Sequence, residues 1–170
     1  RLRPIRWVET SLSGESFTYV KATEGSNYVN PTYLADSNVP KYVGMSVGSY
    51  HYAQPSSAPG DAAAQANFFA KTSIVSHFPT LPPVLDLEES GGLSPKELQD
   101  WVREYVSVVK MRTGRDTMIY TSPTFWPDLL ARCHGRHHGV RQPSAVAGPL
   151  RHRHPGCPRR LEVRHDPPVQ

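Results

Sequence analysis

The sequence predicts an α/β fold built on a parallel sheet or a (β/α) barrel. Three observations carry this. Short β-branched and aromatic runs alternate with stretches of helical periodicity, several of the runs are apolar on both faces, and one helical stretch carries complete start and stop signals. In a (β/α) barrel the catalytic groups gather at the carboxyl ends of the strands, so those ends are where chemistry is sought.

Taken in order, "SFTYVKA" at 16–22 and "VGMSVGSYHYA" at 43–53 read as strands with punctuation on either side. After the Pro, Ser and Gly loop at 54–60, Asp61 is placed to cap a helix through "AAAQANFFAKT". The apolar run of "PPVLDLEESGG" is a third strand. In "SPKELQDWVREYVSVVKMRTG", Ser94 is the N-cap, Pro95 the first helical residue and Glu97 the closing member of a capping box. Leu98, Trp101, Val102, Tyr105, Val106 and Val109 then recur at helical spacing, and Gly114 is a stop. "DTMIYTS" at 116–122 is the last strand visible, and no internal repeat is present.

The 170 residues divide at residue 133. Residues 1–132 hold 12 Lys and Arg against 13 Asp and Glu, so this body is near neutral. Residues 133–170 hold seven Arg against two acids, with six His and six Pro and no Phe, Tyr, Trp, Ile, Met or Lys. That composition cannot build a core, and the tail is expected to be disordered. Both cysteines, Cys133 and Cys157, lie in it and say little about redox compartment. No apolar stretch approaches the ~20 residues of a membrane span, and no signal-peptide pattern opens the chain.

The chemistry is sought in "VLDLEE". Asp86 and Glu88 stand two residues apart, and on a strand both point to one face, roughly 6 to 7 Å apart at ~3.3 Å per residue. Close like charges raise one carboxyl pKa, which suits a general acid. Glu88, farther out, is expected to be the proton donor, and Asp86 to orient or stabilise. Taken alone, such a pair is more often two solvated acids at a strand end. Tyr50 and Tyr52 share one strand face, with His51 on the other, and core packing is the plain alternative for both tyrosines. Lys21 and Glu24 are either an ion pair or substrate contacts. Trp126 has an apolar face suited to stacking on a ligand, though a core Trp is the commoner case. "CHGRHH" lacks a standard zinc spacing, and His77 has no evident partner.

In order and spacing, "SFTYVKATEGSNYVNP", "VGSYHYA", "QANFFA", "LPPVLDLEE", "LQDWV" and "MIYTSPTFW" resemble the family 25 glycoside hydrolases, the Chalaropsis-type lysozymes. The resemblance covers about residues 14–130. It implies a muramidase domain over 1–132 that cleaves the β-1,4 bond between N-acetylmuramic acid and N-acetylglucosamine in peptidoglycan. Glu88 would be the proton donor and Asp86 the assisting carboxylate, acting on the substrate's acetamido group or on a water; Tyr50, Tyr52, Lys21, Glu24 and Trp126 would line the cleft. It implies no metal or cofactor, no nucleic-acid or membrane partner, a monomer, and a secreted or wall-associated place of action.

Two departures qualify this. The family's opening "GIDVSxxQG" strand and its active-site Asp are absent from "RLRPIRWVETSLSG", and its closing "PLWxAxY" and "WxxxQY" strands are not visible after Leu130. A partial barrel lacking first and last strands is the expectation. Permitted codons for the stretch from Ser144, read one nucleotide later, encode "PLWLARYGIAIPAALAGWKFVTIHQY", which contains both closing motifs, so 133–170 reads as out-of-frame translation. Two other classes compete: a non-catalytic wall-binding remnant, and a nucleic-acid binder using the basic tail. The neutral body and a tail without aromatics speak against the latter.

Overall fold

A computed structural model describes residues 5–74, 80–123 and 125. The calls made on Trp126, His77, Cys133, Cys157, the "CHGRHH" stretch and the 133–170 tail lie outside them. In chain order the elements are α1 (Trp7–Leu12), β1 (Phe17–Glu24), β2 (Tyr28–Val29), α2 (Tyr33–Tyr42), β3 (Ser46–Tyr52), α3 (Asp61–Ile74), β4 (Val84–Asp86), α4 (Pro95–Thr113) and β5 (Met118–Tyr120).

The strands form one sheet in the order β2-β1-β3-β4-β5. Neighbours from β1 to β5 run parallel, and only the two-residue β2 pairs antiparallel, with the end of β1. The expected parallel sheet is therefore present. Closure into a barrel is not: among the described residues the sheet has two edges.

Each predicted element has its counterpart, with shifted bounds. β1 runs two residues past the expected end, through Lys21 and a bulge between Lys21 and Thr23, because its last residues still find partners on β3. Asp61 is the first residue of α3 rather than a residue before it. α4 has the full capping box: Ser94 Oγ accepts from the Glu97 amide while Glu97 Oε2 accepts from the Ser94 amide at 2.8 Å, and Gly114 ends the helix at φ 72°. No clear sequence signal marks α1, α2 or β2. α2 contains Pro40 and has little amphipathic contrast, and β2 is two exposed residues.

One face of the sheet is covered. Val47, Leu85 and Leu87 are fully buried beneath α3 and α4, packed with Ala66, Phe69, Trp101, Val102 and Tyr105. Full burial of one such aliphatic side chain is worth about 1.5–3 kcal/mol. Strict alternation then sends Tyr50, Tyr52 and Asp86 to the opposite, half-buried face.

Candidate active site

The open face carries the titratable and aromatic side chains. In register, Tyr52 of β3 lies beside Asp86 of β4, and Asp86 beside Tyr120 of β5; Lys21 and Glu24 of β1 lie beside Tyr50 and Tyr52. The structure thus brings together Lys21, Glu24, Tyr50, Tyr52 and Asp86 at the carboxyl ends of β1, β3 and β4, where the sequence reading put them.

Glu88 lies two residues beyond Asp86, past the last residue of β4. The ladder extends one step further, since the Leu87 amide donates to the Tyr120 carbonyl at 2.9 Å. Leu85 and Leu87 are fully buried, Asp86 is half-buried and Glu88 is exposed, so the alternation that separates the two faces continues through this stretch.

Asp86 is the perturbed acid. Burial, then the nearby charge of Glu88, pushes its carboxyl up to about 6, against an opposing pull from Lys21. Its Oδ1 is buried and has no hydrogen-bond partner among the described residues. From sequence, like-charge repulsion is the expected cause of a raised carboxyl in this pair; at Asp86 burial is the larger cause and the charge of Glu88 the second.

Lys21 is tied down. Its ammonium bonds the Glu24 carboxylate, and it lies 4.9 Å from the centre of the Tyr52 ring and 5.5 Å from that of Tyr28. Burial pulls the Lys21 pKa down, but the hydrogen bond and charge of Glu24 more than offset this and leave it raised. The pair is about 70% covered on each side, so it is neither a buried core ion pair nor a loose surface one. Burial also raises the phenols of Tyr50 and Tyr52, and both are neutral donors at physiological pH.

Three residues of this face escaped the sequence reading. Gln54 donates from Nε2 to Glu24 Oε1 at 3.0 Å, and Tyr28 flanks Lys21. Tyr19 packs its ring across β3 at Gly48, where a Cβ would fall 2.0 Å from Cε1 of that ring. The period-two pattern of "FTYVK" could have placed Tyr19 on the face of Lys21; nothing local marks Gln54 or Tyr28.

The open face of the sheet thus carries two carboxyls at the end of a central strand, rimmed by tyrosines and a lysine. Residues 3–137 match the family model of glycosyl hydrolases family 25, and the chain belongs to that family. It is 34% identical over 161 residues to Lysozyme M1 of Streptomyces globisporus, covering 85% of this chain and 54% of that protein. It is 33% identical over 130 residues to an N,O-diacetylmuramidase of Chalaropsis sp, covering 67% and 58%. Among solved structures, a muramidase from Trichobolus zukalii superposes with a TM-score of 0.67 at 30% identity, covering 75% of this chain and 64% of that one. The chain spans about half the length of the curated relatives it matches.

Proposed function

We propose that this chain is a peptidoglycan hydrolase of the muramidase type, cleaving the β-1,4 bond between N-acetylmuramic acid and N-acetylglucosamine. The observation that carries the reading is the carboxyl pair at the end of β4, one member half-buried with an unpartnered oxygen and the other exposed, on a face rimmed by tyrosines. Family membership and the names of the relatives support it.

Glu88 is the carboxyl that a bound glycan can reach, and it is the position matching the family's proton donor. It protonates the glycosidic oxygen as the bond breaks. Asp86 sits deeper. Ionised above about 6, it holds the substrate's acetamido group or a water against the anomeric carbon and offsets the positive charge that develops there. Tyr50, Tyr52 and the Lys21–Glu24 pair line the cleft. The described sheet is read as an arc of a (β/α) barrel in a muramidase domain over 1–132, with 133–170 a separate basic tail. The place of action is the cell wall, reached by secretion, and the acting species is the monomer.

Loss of turbidity of a bacterial wall suspension, measured beside a pull-down on insoluble peptidoglycan, tests the proposal. Lysis with release of reducing sugar supports it. Binding without lysis makes the protein a wall-binding module, and the absence of both binding and lysis overturns the reading of the cleft.

A further inference from the structure

On the covered side of the sheet, a buried polar chain runs toward the cleft. Gln65 of α3 is 1% exposed, and its side-chain amide is fully engaged. Its Oε1 accepts from the Gln54 amide at 3.2 Å and from His51 Nε2 at 3.0 Å. Its Nε2 donates to the Gln54 carbonyl at 2.6 Å and to the Asp61 carboxylate at 3.0 Å. His51 Nδ1 in turn accepts from Thr23 Oγ1 at 2.8 Å, while Asp61 Oδ2 accepts from Trp101 Nε1 at 2.8 Å and from the Ser56 amide at 3.0 Å.

This arrangement grips both main-chain groups of Gln54 at the point where the chain leaves β3. The side chain of Gln54 then crosses to the open face and holds Glu24, which holds Lys21 against Tyr52. The next residue meets the loop after β4: a Cβ on Gly91, whose φ is +59°, would fall 1.7 Å from the Pro55 carbonyl oxygen. The loop leaving Glu88 therefore rests on the turn that Gln65 fixes.

We infer that Gln65 is a positioning residue for the cleft, acting through the main chain of Gln54 to set the Glu24–Lys21 pair on the opposite face of the sheet. The inference rests on reading that face as the glycan-cleaving site. A core glutamine needs only some partner for its amide. This one closes two bonds on a single neighbouring residue, whose own side chain is at the site.

The test compares the full chain with Gln65→Met, Gln54→Ala and the double variant by NMR, following the Lys21 ammonium titration and the side-chain amide signals of Gln54. Both single variants are expected to bring the Lys21 pKa down toward its ordinary value, since a Glu24 carboxylate released from Gln54 holds the ammonium less well. Gln65→Met is also expected to collapse the dispersed Gln54 side-chain amide pair. The double variant is expected to match Gln54→Ala, with no further fall. A Lys21 titration unchanged in Gln65→Met, or additive losses in the double variant, overturns the inference and leaves Gln65 a core residue. Should Gln65→Met not fold, Gln65→Asn keeps the amide one methylene short of Gln54 and is read in the same way. On soluble wall fragments the same variants are expected to raise KM several-fold with kcat nearly unchanged. If the unaltered chain cleaves no wall, the reading of the cleft falls, while the coupling of Gln65 to Lys21 is still decided by NMR.

Discussion

The two faces of one sheet, made by alternate residues of the same strands, differ in what they do with the titratable side chains they carry. On the covered face His51 has both ring nitrogens bonded, to Thr23 and Gln65, and stacks on Tyr105 at 5.3 Å. One residue to either side, Tyr50 and Tyr52 face the opening, and on β4 the same step leads from Leu85 to Asp86, which keeps a buried oxygen without a partner among the described residues. A protein interior satisfies nearly all its buried polar atoms, so an orphaned carboxylate oxygen on the less covered face marks a group held ready for something else. The covered face explains why the sheet holds together, and the open face explains what it is for.

Truncation separates the faces most strongly. Leu87→Ala removes a fully buried side chain and is expected to cost about 2–5 kcal/mol in urea unfolding, while Glu88→Ala, its exposed neighbour, stays within about 0.5 kcal/mol. Equal costs would mean that the alternation does not divide core from site.

Acid and base pull the two faces in opposite directions. Burial lowers His51 from 6.5 to about 4, so its contribution to stability is present above 6.5 and is lost as pH falls through that window, by roughly 3 kcal/mol in all. Asp86 is raised from 3.8 to about 6, so the native state holds the extra proton, and stability is lost as pH rises through that range. Solvent reaching this half-buried carboxyl cuts the effect to on the order of 1 kcal/mol. Denaturant midpoints between pH 4 and 6.5 should therefore rise with pH more steeply in Asp86→Asn than in the unaltered chain. An unchanged or shallower slope would contradict the assigned shift.

The smallest effect is expected within the covered face. Tyr105 Oη is buried without a partner among the described residues, so Tyr105→Phe is expected to be neutral or to stabilise by up to about 1 kcal/mol. A clear loss of melting temperature would reveal a bond to that hydroxyl.

Much of this contrast could be read in advance, because strand alternation is a short-range rule. "SYHYA" and "VLDLE" each assign their faces without knowledge of neighbours, and the capping box of Ser94 and Glu97 fixes where α4 begins. Residues whose role depends on a distant partner were not legible. Gln54 has meaning only once Glu24 is across from it, and Gln65 only once His51 and Gln54 converge on its amide. The raised carboxyl of Asp86 was legible only in part for the same reason: like-charge repulsion is visible in D-x-E, but the depth to which Asp86 is buried is set by β3 and β5.

On the proposed muramidase reading, Glu88 and Asp86 have different chemical duties on the open face, and the rates of Glu88→Gln and Asp86→Asn on peptidoglycan and on an aryl glycoside with an activated leaving group test this. A proton donor contributes ~10² to 10⁴ in rate, and chiefly where the leaving group is poor. Glu88→Gln is therefore expected to lose nearly all activity on the wall and much less on the aryl substrate, while Asp86→Asn impairs both alike, with wall binding kept in each variant. Wall-lytic activity largely retained in Glu88→Gln, or the selective pattern appearing in Asp86→Asn instead, would contradict the assignment.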